Sequence, residues 1–460
     1  MVWNSEVLVS ITNGKAFSKW QSGKVVFDSR LVEEGDTFLA LPGAISDGHD
    51  YVVQALEKGA AAAIVSKIPE GVVDISKLLI VENVLDALTI MAKYKRNKSK
   101  AKFIGITGSV GKTSTKEILG LCLQVYGKTF ISRGNYNNFL GVPINLASMP
   151  DDSEYAIIEI GMDHAGEITP LTYLAKPHMA IITAIENIHR ANFDSIEGIA
   201  RAKAEIFIGL EPTSTVIINS LSNCYELLLQ TAQNNLNISK VISIGLDSYL
   251  KNYLVENNTT DAKVNILGQE LSLKFLDIIS SHQIHNMIVA LSCIKELKLD
   301  PWQSLECLKE FKLPRGRGLV SKIKVDEKNI TLIDDSYNAG PVSIKAALKN
   351  MSNYQGRKIA LLGDMVDLGP ETVSLHTGLK EDIIVNNIDK VICFGKQMKD
   401  LYEVLPEDKK LGHHLTLKDL AAELPSKLLD GDILLIKGSF YLTNLYRFTK
   451  HLSEGTLHAL

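Results

Sequence analysis

The stretch "FIGITGSVGKTSTKE", Phe103 to Glu117, decides the reading of the fold. It opens as an apolar, β-branched strand, turns through two glycines and continues with helical periodicity. Strand, glycine-rich turn and helix is the context a phosphate-gripping loop requires. The strict form of that loop, G-x-x-x-x-G-K-[ST], wants its first glycine where this chain has Ile106. A glycine stands at Gly108 instead, which leaves G-S-V-G-K-T-S. Gly108 and Gly111 permit backbone angles and close approaches that other residues resist. Ser109 lies between them, and the N–H groups opening the helix point at an anion, helped by its dipole. Lys112 can reach terminal phosphates, and the hydroxyl of Thr113 or Ser114 can ligate Mg²⁺.

The segments around the loop set the fold class. "TSTKEILGLCLQVYG" reads as a helix with Ile118, Leu121, Cys122 and Val125 on one face and Gly127 ending it. "YAIIEIG", "HMAIITA" and "TVIINS" read as buried strands, so strands alternate with helices around a mostly parallel sheet. The helix "SHQIHNMIVALSCIKEL" carries Ile284, Met287, Ile288, Leu291 and Ile294 on one face. Upstream, "KVVFDSR", "DTFLALPG" and "YVVQALEKGAAAAIVS" suggest a small α/β domain. Downstream of "LPRGRG", the strands "NITLIDD", "KIALLGD", "KVICFG" and "DILLIKGS" suggest a doubly wound unit. The expected architecture is α/β with three domains. Residues 1–98 form a small N-terminal domain, 99–313 a central P-loop-type ATPase domain with a mostly parallel sheet, and 314–460 a Rossmann-like domain.

Bulk properties narrow the function classes. The chain has 460 residues, 45% hydrophobic and 22% charged, which suits several globular domains rather than disorder. Its net charge of −4 provides no global field for nucleic acid. The basic run "KYKRNKSKAK", Lys93 to Lys102, lacks aromatic platforms and reads as a solvated stretch joining two domains. No apolar run reaches membrane-spanning length, and the N-terminal residues lack the pattern of a secretory signal. Five scattered cysteines without C-x-x-C suggest free thiols in a reducing cytoplasm. A cytoplasmic monomer that engages neither nucleic acid nor membrane is expected.

Other residues bear chemistry. Glu159 closes the strand "YAIIEIG", the next strand-like segment after the loop, where a carboxylate can hold Mg²⁺. No N-K-x-D guanine signature occurs, which argues against a GTPase. On spacing alone, His189 reads as a structural histidine and Lys203 as a solvated lysine. His282 and His285 form H-x-x-H without a visible third ligand. "GNYNNFLGVP" offers Asn135, Asn137 and Asn138 as donors and acceptors for a polar ligand, or as an ordinary turn.

Taken together, these segments resemble the Mur ligase family, ATP-dependent amide ligases of peptidoglycan assembly. The resemblance spans nearly the whole chain and rests on "DSR", "EEGDTFLALPG", "DGHDY", "GNYNNFLGVP", "EIGMDHAGEI", "IDDSYNAGP", "LLGDMVDLG" and "LIKGS". "DSYNAGP" is the most specific, and points to the branch that adds D-alanyl-D-alanine. The resemblance implies ATP-driven joining of D-alanyl-D-alanine to UDP-N-acetylmuramoyl-tripeptide through an acyl phosphate. It assigns Lys112 to the phosphates, Thr113 and Glu159 to Mg²⁺, and His189 to a second Mg²⁺ site. Lys203 matches a lysine carried as a carbamate, an anionic oxygen ligand where a free ammonium would repel Mg²⁺. Asn286 matches a residue beside adenine, and Arg317 and Asp335 match nucleotide contacts. Ser29, Arg30, Asp47 and His49 lie in the UDP-binding motifs, while Tyr337 and Asn338 join the asparagine-rich loop on the substrate side.

The chain departs from the family pattern at five places. Gly340 precedes Pro341 where Asn is usual, Ala184 follows Thr183 where Asn is usual, and Asp367 replaces Glu. Phe440 follows "KGS" in place of a basic residue, and His282-Gln283 replaces a His-Asn pair. Two rival readings are a Mur-type ligase for another amino acceptor and a nucleotide-gated binding module without turnover.

Overall fold

The computed structural model describes residues 3–43, 46–186, 192–366 and 368–460. The chain divides into two compact units. The first comprises Met1–Ile185, Ile196–Ser248 and Val289–Ser304, and the second Glu186–Ser195, Tyr249–Ile288 and Leu305–Leu460.

Two sheets organise the first unit. The N-terminal one has strand order Lys15–Ala16, Leu78–Ile80, Ala62–Val65, Thr37–Leu39, Val25–Val26. All neighbours are parallel except the first pair. Its core of Leu8, Val25, Leu39, Ile64, Leu79, Leu88 and Met91 also takes in Ile144 and Ala147 from the helix Gly141–Ser148. Trp3 Nε1 donates to Ala147 O at 2.8 Å, and Val25 N to Ser148 Oγ at 3.0 Å.

Six strands of the central sheet run parallel in the order Ile238–Ile244, Ser214–Asn219, Met179–Ile182, Lys102–Thr107, Tyr155–Glu159, Thr129–Ile131. Lys102–Thr107 therefore lies between Tyr155–Glu159 and Met179–Ile182. Its carboxyl end, and the loop that follows, meets Glu159 on one side and Thr183 on the other. Ligands of open α/β sheets bind at such strand ends.

The helix after the loop runs Lys112–Gln124. Ile118 and Cys122 are buried as the periodicity predicts, but Val125 is 46% exposed and lies past the helix end. The buried residues are Thr115, Lys116, Ile118, Leu119, Gly120, Cys122 and Leu123, a set wider than the expected stripe. Gly127 does not supply a left-handed cap: its φ is not positive. A Cβ there would meet the Glu154 carboxylate at 2.5 Å, the far end of a flexible side chain that can give way.

The basic run is another correction. Residues Val84–Lys98 form a helix, and Lys95 and Arg96 are buried. Arg96 donates to Ala175 O at 2.6 Å, to Lys176 O at 2.5 Å and to Glu211 Oε1 at 3.0 Å, with its guanidinium 4.2 Å from the Phe103 ring centroid. Lys95 pairs with Asp151. The charges in this part of the run are structural clamps because remote segments supply their partners.

Three strands are absent from the sequence reading: Ser248–Glu256, which belongs to the second unit from Tyr249 onward, then Thr259–Ile266 and Gln269–Phe275, the last two antiparallel with alternating burial. The second unit also contains a six-stranded sheet, counted among the described residues. Its order is Leu319–Val325, Lys328–Asp335, Ile433–Lys437, Lys358–Gly363, Lys390–Phe394, Lys410–His414. Only the first pair is antiparallel. Hydrophobic cores cover both faces, as a doubly wound sheet requires.

Candidate active site

The loop Gly108–Gly111 is braced from the neighbouring strand end. Ser109 N donates to Ala184 O at 2.7 Å, and Thr183 Oγ1 donates to Val110 O at 2.6 Å. Gly108 adopts φ +144°, and a Cβ there would collide with Thr183 Oγ1. Gly111 caps the helix with φ 84°. Both glycines are thus required by conformation, Gly108 by space as well. Lys112 folds back over the loop, its Nζ donating to Gly108 O at 2.6 Å and Ser109 O at 3.3 Å.

Glu159 faces the first turn of the helix. Thr113 Oγ1 donates to its Oε2 at 3.0 Å, and Asn137 Nδ2 to its Oε1 at 2.8 Å. Ser132 Oγ accepts from Glu159 N at 3.0 Å. The carboxylate is almost fully buried, so it depends on these partners. A hydroxyl and a carboxylate in contact are hard oxygen donors of the kind Mg²⁺ takes. Among the described residues no group of three or more His, Cys, Asp or Glu side chains is placed to hold a metal.

Lys203 sits on the helix Ile196–Ala204 and is 1% exposed, not solvated as its spacing alone suggested. Burial, followed by the Lys112 charge, holds its amine well below the ordinary lysine range, against the opposing pull of Asp163, Glu167 and Glu205. Glu205 accepts from Gly166 N at 2.6 Å and from Thr169 N at 3.0 Å, which fixes the loop carrying Asp163 and Glu167.

Three family models cover the chain in sequence. "Mur ligase family, catalytic domain" matches residues 24–96, "Mur ligase middle domain" 106–294, and "Mur ligase, glutamate ligase domain" 322–440. The UDP-N-acetylmuramoyl-tripeptide–D-alanyl-D-alanine ligase of Rickettsia prowazekii is 40% identical over 444 residues, 95% of this chain and 97% of that protein. The chain belongs to the Mur ligase family. A crystal structure of MurF from Acinetobacter baumannii covers 98% of this chain and 99% of its own, with TM-score 0.82 and 27% identity. The MurF ligase of Thermotoga maritima in complex with ADP shares the fold, with TM-score 0.75, 24% identity, and 95% and 98% coverage. The three-domain Mur ligase architecture is thus established.

The Mur-type residues of the second unit gather at the carboxyl ends of its central strands. Lys437 Nζ donates to Asp335 Oδ2 at 2.6 Å and to Asn338 O at 3.0 Å. Burial raises the Asp335 carboxyl above its usual range, while Lys437 opposes the shift. The Arg317 guanidinium lies 4.2 Å from the Tyr337 ring centroid. Phe440, the residue that departs from the Mur pattern, stacks on Tyr337 at 5.6 Å and contacts Tyr441 and Tyr446. An aromatic wall therefore stands where the Mur pattern places a basic side chain. Asn286 is partly exposed on the helix Ser281–Glu296.

In the N-terminal domain the Mur motif residues are largely engaged within the fold. Ser29 Oγ donates to Gln54 Oε1 at 2.7 Å, and Arg30 pairs with Asp28 through Nη2 at 2.7 Å. His49 Nε2 accepts from Ser66 N at 2.9 Å, so its proton resides on Nδ1, which donates to Asp47 Oδ1 at 2.6 Å. The backbone N–H of His49, followed by that ring bond, holds the Asp47 carboxyl far below its usual range. Asn135 and Asn138 lie exposed in the asparagine-rich loop. His189 and Asp367 fall outside the described residues.

Sequence reasoning missed several site residues. Lys116, Ser132, Thr183, Asp163, Glu167 and Glu205 touch or flank the predicted ones. The motif "EIGMDHAGEI" contained two of them, and its acid spacing was the available signal. Lys437 stood in "LIKGS" at a recognised strand end.

Proposed function

We propose that this chain joins D-alanyl-D-alanine to the terminal carboxylate of a UDP-N-acetylmuramoyl-tripeptide, cleaving ATP to ADP and phosphate. The observation that carries the reading is the phosphate loop set against buried Glu159, with Thr113 Oγ1 3.0 Å from the carboxylate, in a chain 40% identical to a ligase of that name.

In this reading the N–H groups opening the helix Lys112–Gln124 and the Lys112 ammonium hold the β- and γ-phosphates. The peptide carboxylate attacks the γ-phosphorus in line, and ADP leaves. The amine of D-alanyl-D-alanine attacks the acyl carbon, phosphate leaves with the bonding electron pair, and the nitrogen loses a proton to give the amide. Bringing the anions together and holding them accounts for most of the acceleration. Mg²⁺ held by Thr113, Glu159, His189 and a carbamate on Lys203 would supply Lewis-acid charge. The lowered basicity of Lys203 supports that carbamate, because only the neutral amine adds CO₂.

Asn286, Arg317 and Asp335 take the nucleoside side of ATP in this account. Ser29, Arg30, Asp47 and His49 shape the UDP site, and Asn135, Asn137, Asn138, Tyr337 and Asn338 meet the peptide substrates. Residues 1–98, 99–313 and 314–460 divide these tasks. Among the described residues no helix is long and apolar enough to cross a membrane. We place the reaction in the cytoplasm and assign it to a monomer. Phosphate release dependent on both ATP and D-alanyl-D-alanine tests the reading. Binding of ATP without acceptor-dependent release would refute it.

A further inference from the structure

Lys116 is a fully buried lysine one helical turn beyond Lys112, and the mechanism above gives it no task. Its Nζ donates to Gly134 O at 2.8 Å and lies 3.5 Å from Glu159 Oε2 and 3.3 Å from Glu117 Oε1. A buried ammonium is costly unless paired and hydrogen-bonded, so its position is dictated by these partners. Gly134 begins the asparagine-rich loop, whose Asn137 donates to the other oxygen of Glu159. Asn137 O also accepts from Gly161 N at 2.8 Å, just past that carboxylate. The loop and the carboxylate thus share two cross-links, and only Lys116 carries charge.

Further along, Asn145 Nδ2 donates to Tyr136 O at 2.8 Å, and the Tyr136 ring packs 5.8 Å from that of Phe27 in the N-terminal domain. The loop therefore connects the wall of the nucleotide site to the domain assigned to the UDP substrate.

We infer that Lys116 is a positioning residue: its ammonium holds the 134–140 loop and the Glu159 carboxylate in one register. In its activity arm this inference rests on the proposed ligase reaction. Without the charge, Glu159 Oε2 loses a fixed partner and Gly134 O loses its donor, so only Asn137 still ties the loop to the carboxylate strand and the register loosens.

The test compares full-length Lys116→Met with the parent after thermal melting has confirmed that it folds. Steady-state kinetics should show kcat reduced about 100-fold, the scale of a small misplacement of reacting groups. KM for ATP should stay within about threefold, because phosphate binding is retained. Limited trypsinolysis read by mass spectrometry should show cleavage after Arg133 accelerated at least about tenfold, as the loop's local opening becomes easier. Should Lys116→Met not fold, Lys116→Gln enters the same assays with the same expectations. Unchanged kcat together with unchanged cleavage after Arg133 overturns the inference. A raised KM for ATP with parental kcat also overturns it, by making Lys116 a nucleotide-binding group. Parent protein that lacks ligase activity refutes the proposed reaction instead, and the trypsin comparison then decides the role of Lys116 alone.

Discussion

Lys203 carries a primary amine into a site that solvent scarcely reaches. Burial and the Lys112 charge both disfavour its ammonium form, so the fold favours the neutral amine. The sign of the pH effect follows. In bicarbonate-free buffer the penalty is full below the lowered folded pKa and fades as pH rises toward the unfolded value. Lys203→Met should therefore gain stability over the parent at low pH, with a gain that shrinks on the alkaline side; denaturant melts across pH measure this. Lys203→Ala should lose about 100-fold or more in kcat, as removal of a charge-positioning group does. Short carboxylic acids should restore part of that loss, and parental activity in Lys203→Ala would remove the carbamate from the account. Sequence reasoning could name Lys203 only through family resemblance. It is buried, and Lys112, Asp163 and Glu167, whose charges act on it, lie far off in sequence, whereas spacing alone presents it as an ordinary solvated lysine.

The strand, loop and helix between Lys102 and Gln124 show which local features the sequence specifies. β-Branched residues, two glycines and the G-K-T-S core marked the strand, the turn and the helix start correctly. The helix ends at Gln124 and Gly127 has no positive φ, so that glycine is not the left-handed cap its place after the apolar face suggested. Gly108→Ala should be destabilising by about 1–3 kcal/mol, since a left-handed φ and the Thr183 hydroxyl both oppose a methyl group. It should also weaken ATP binding at least about tenfold, because the braced loop presents the N–H groups. Calorimetry with ATP and a thermal melt check the two effects; parental values in both would show that the loop tolerates a side chain. The strands Thr259–Ile266 and Gln269–Phe275 were missed because polar residues alternate with a modest apolar face, so no segment stands out. Likewise "KYKRNKSKAK" looks solvated until Asp151, Glu211 and two backbone carbonyls are brought to it.

At the scale of the molecule, the three family matches follow chain order, whereas compactness joins the N-terminal and central sheets in one unit. Bonds such as Trp3 to Ala147 and Val25 to Ser148 explain the union, and no local pattern announces them. The fold class was legible because each sheet is built from short, strongly apolar runs ending at polar or glycine positions. Acceptor choice was less legible, because the ring cluster around Phe440, which we propose to meet the acceptor, is where this chain leaves the Mur pattern. Stacking with Tyr337 gives that residue a packing role, so Phe440→Arg should change KM for the acceptor more than KM for ATP. Steady-state kinetics with each substrate varied in turn reads this, and equal shifts in both would detach the aromatic wall from acceptor binding. The central claim is the identity of the acceptor. Purified protein with ATP, Mg²⁺ and UDP-N-acetylmuramoyl-tripeptide should release phosphate when D-alanyl-D-alanine is added and stay near background with single amino acids. Release with another amine, and none with D-alanyl-D-alanine, would contradict the account.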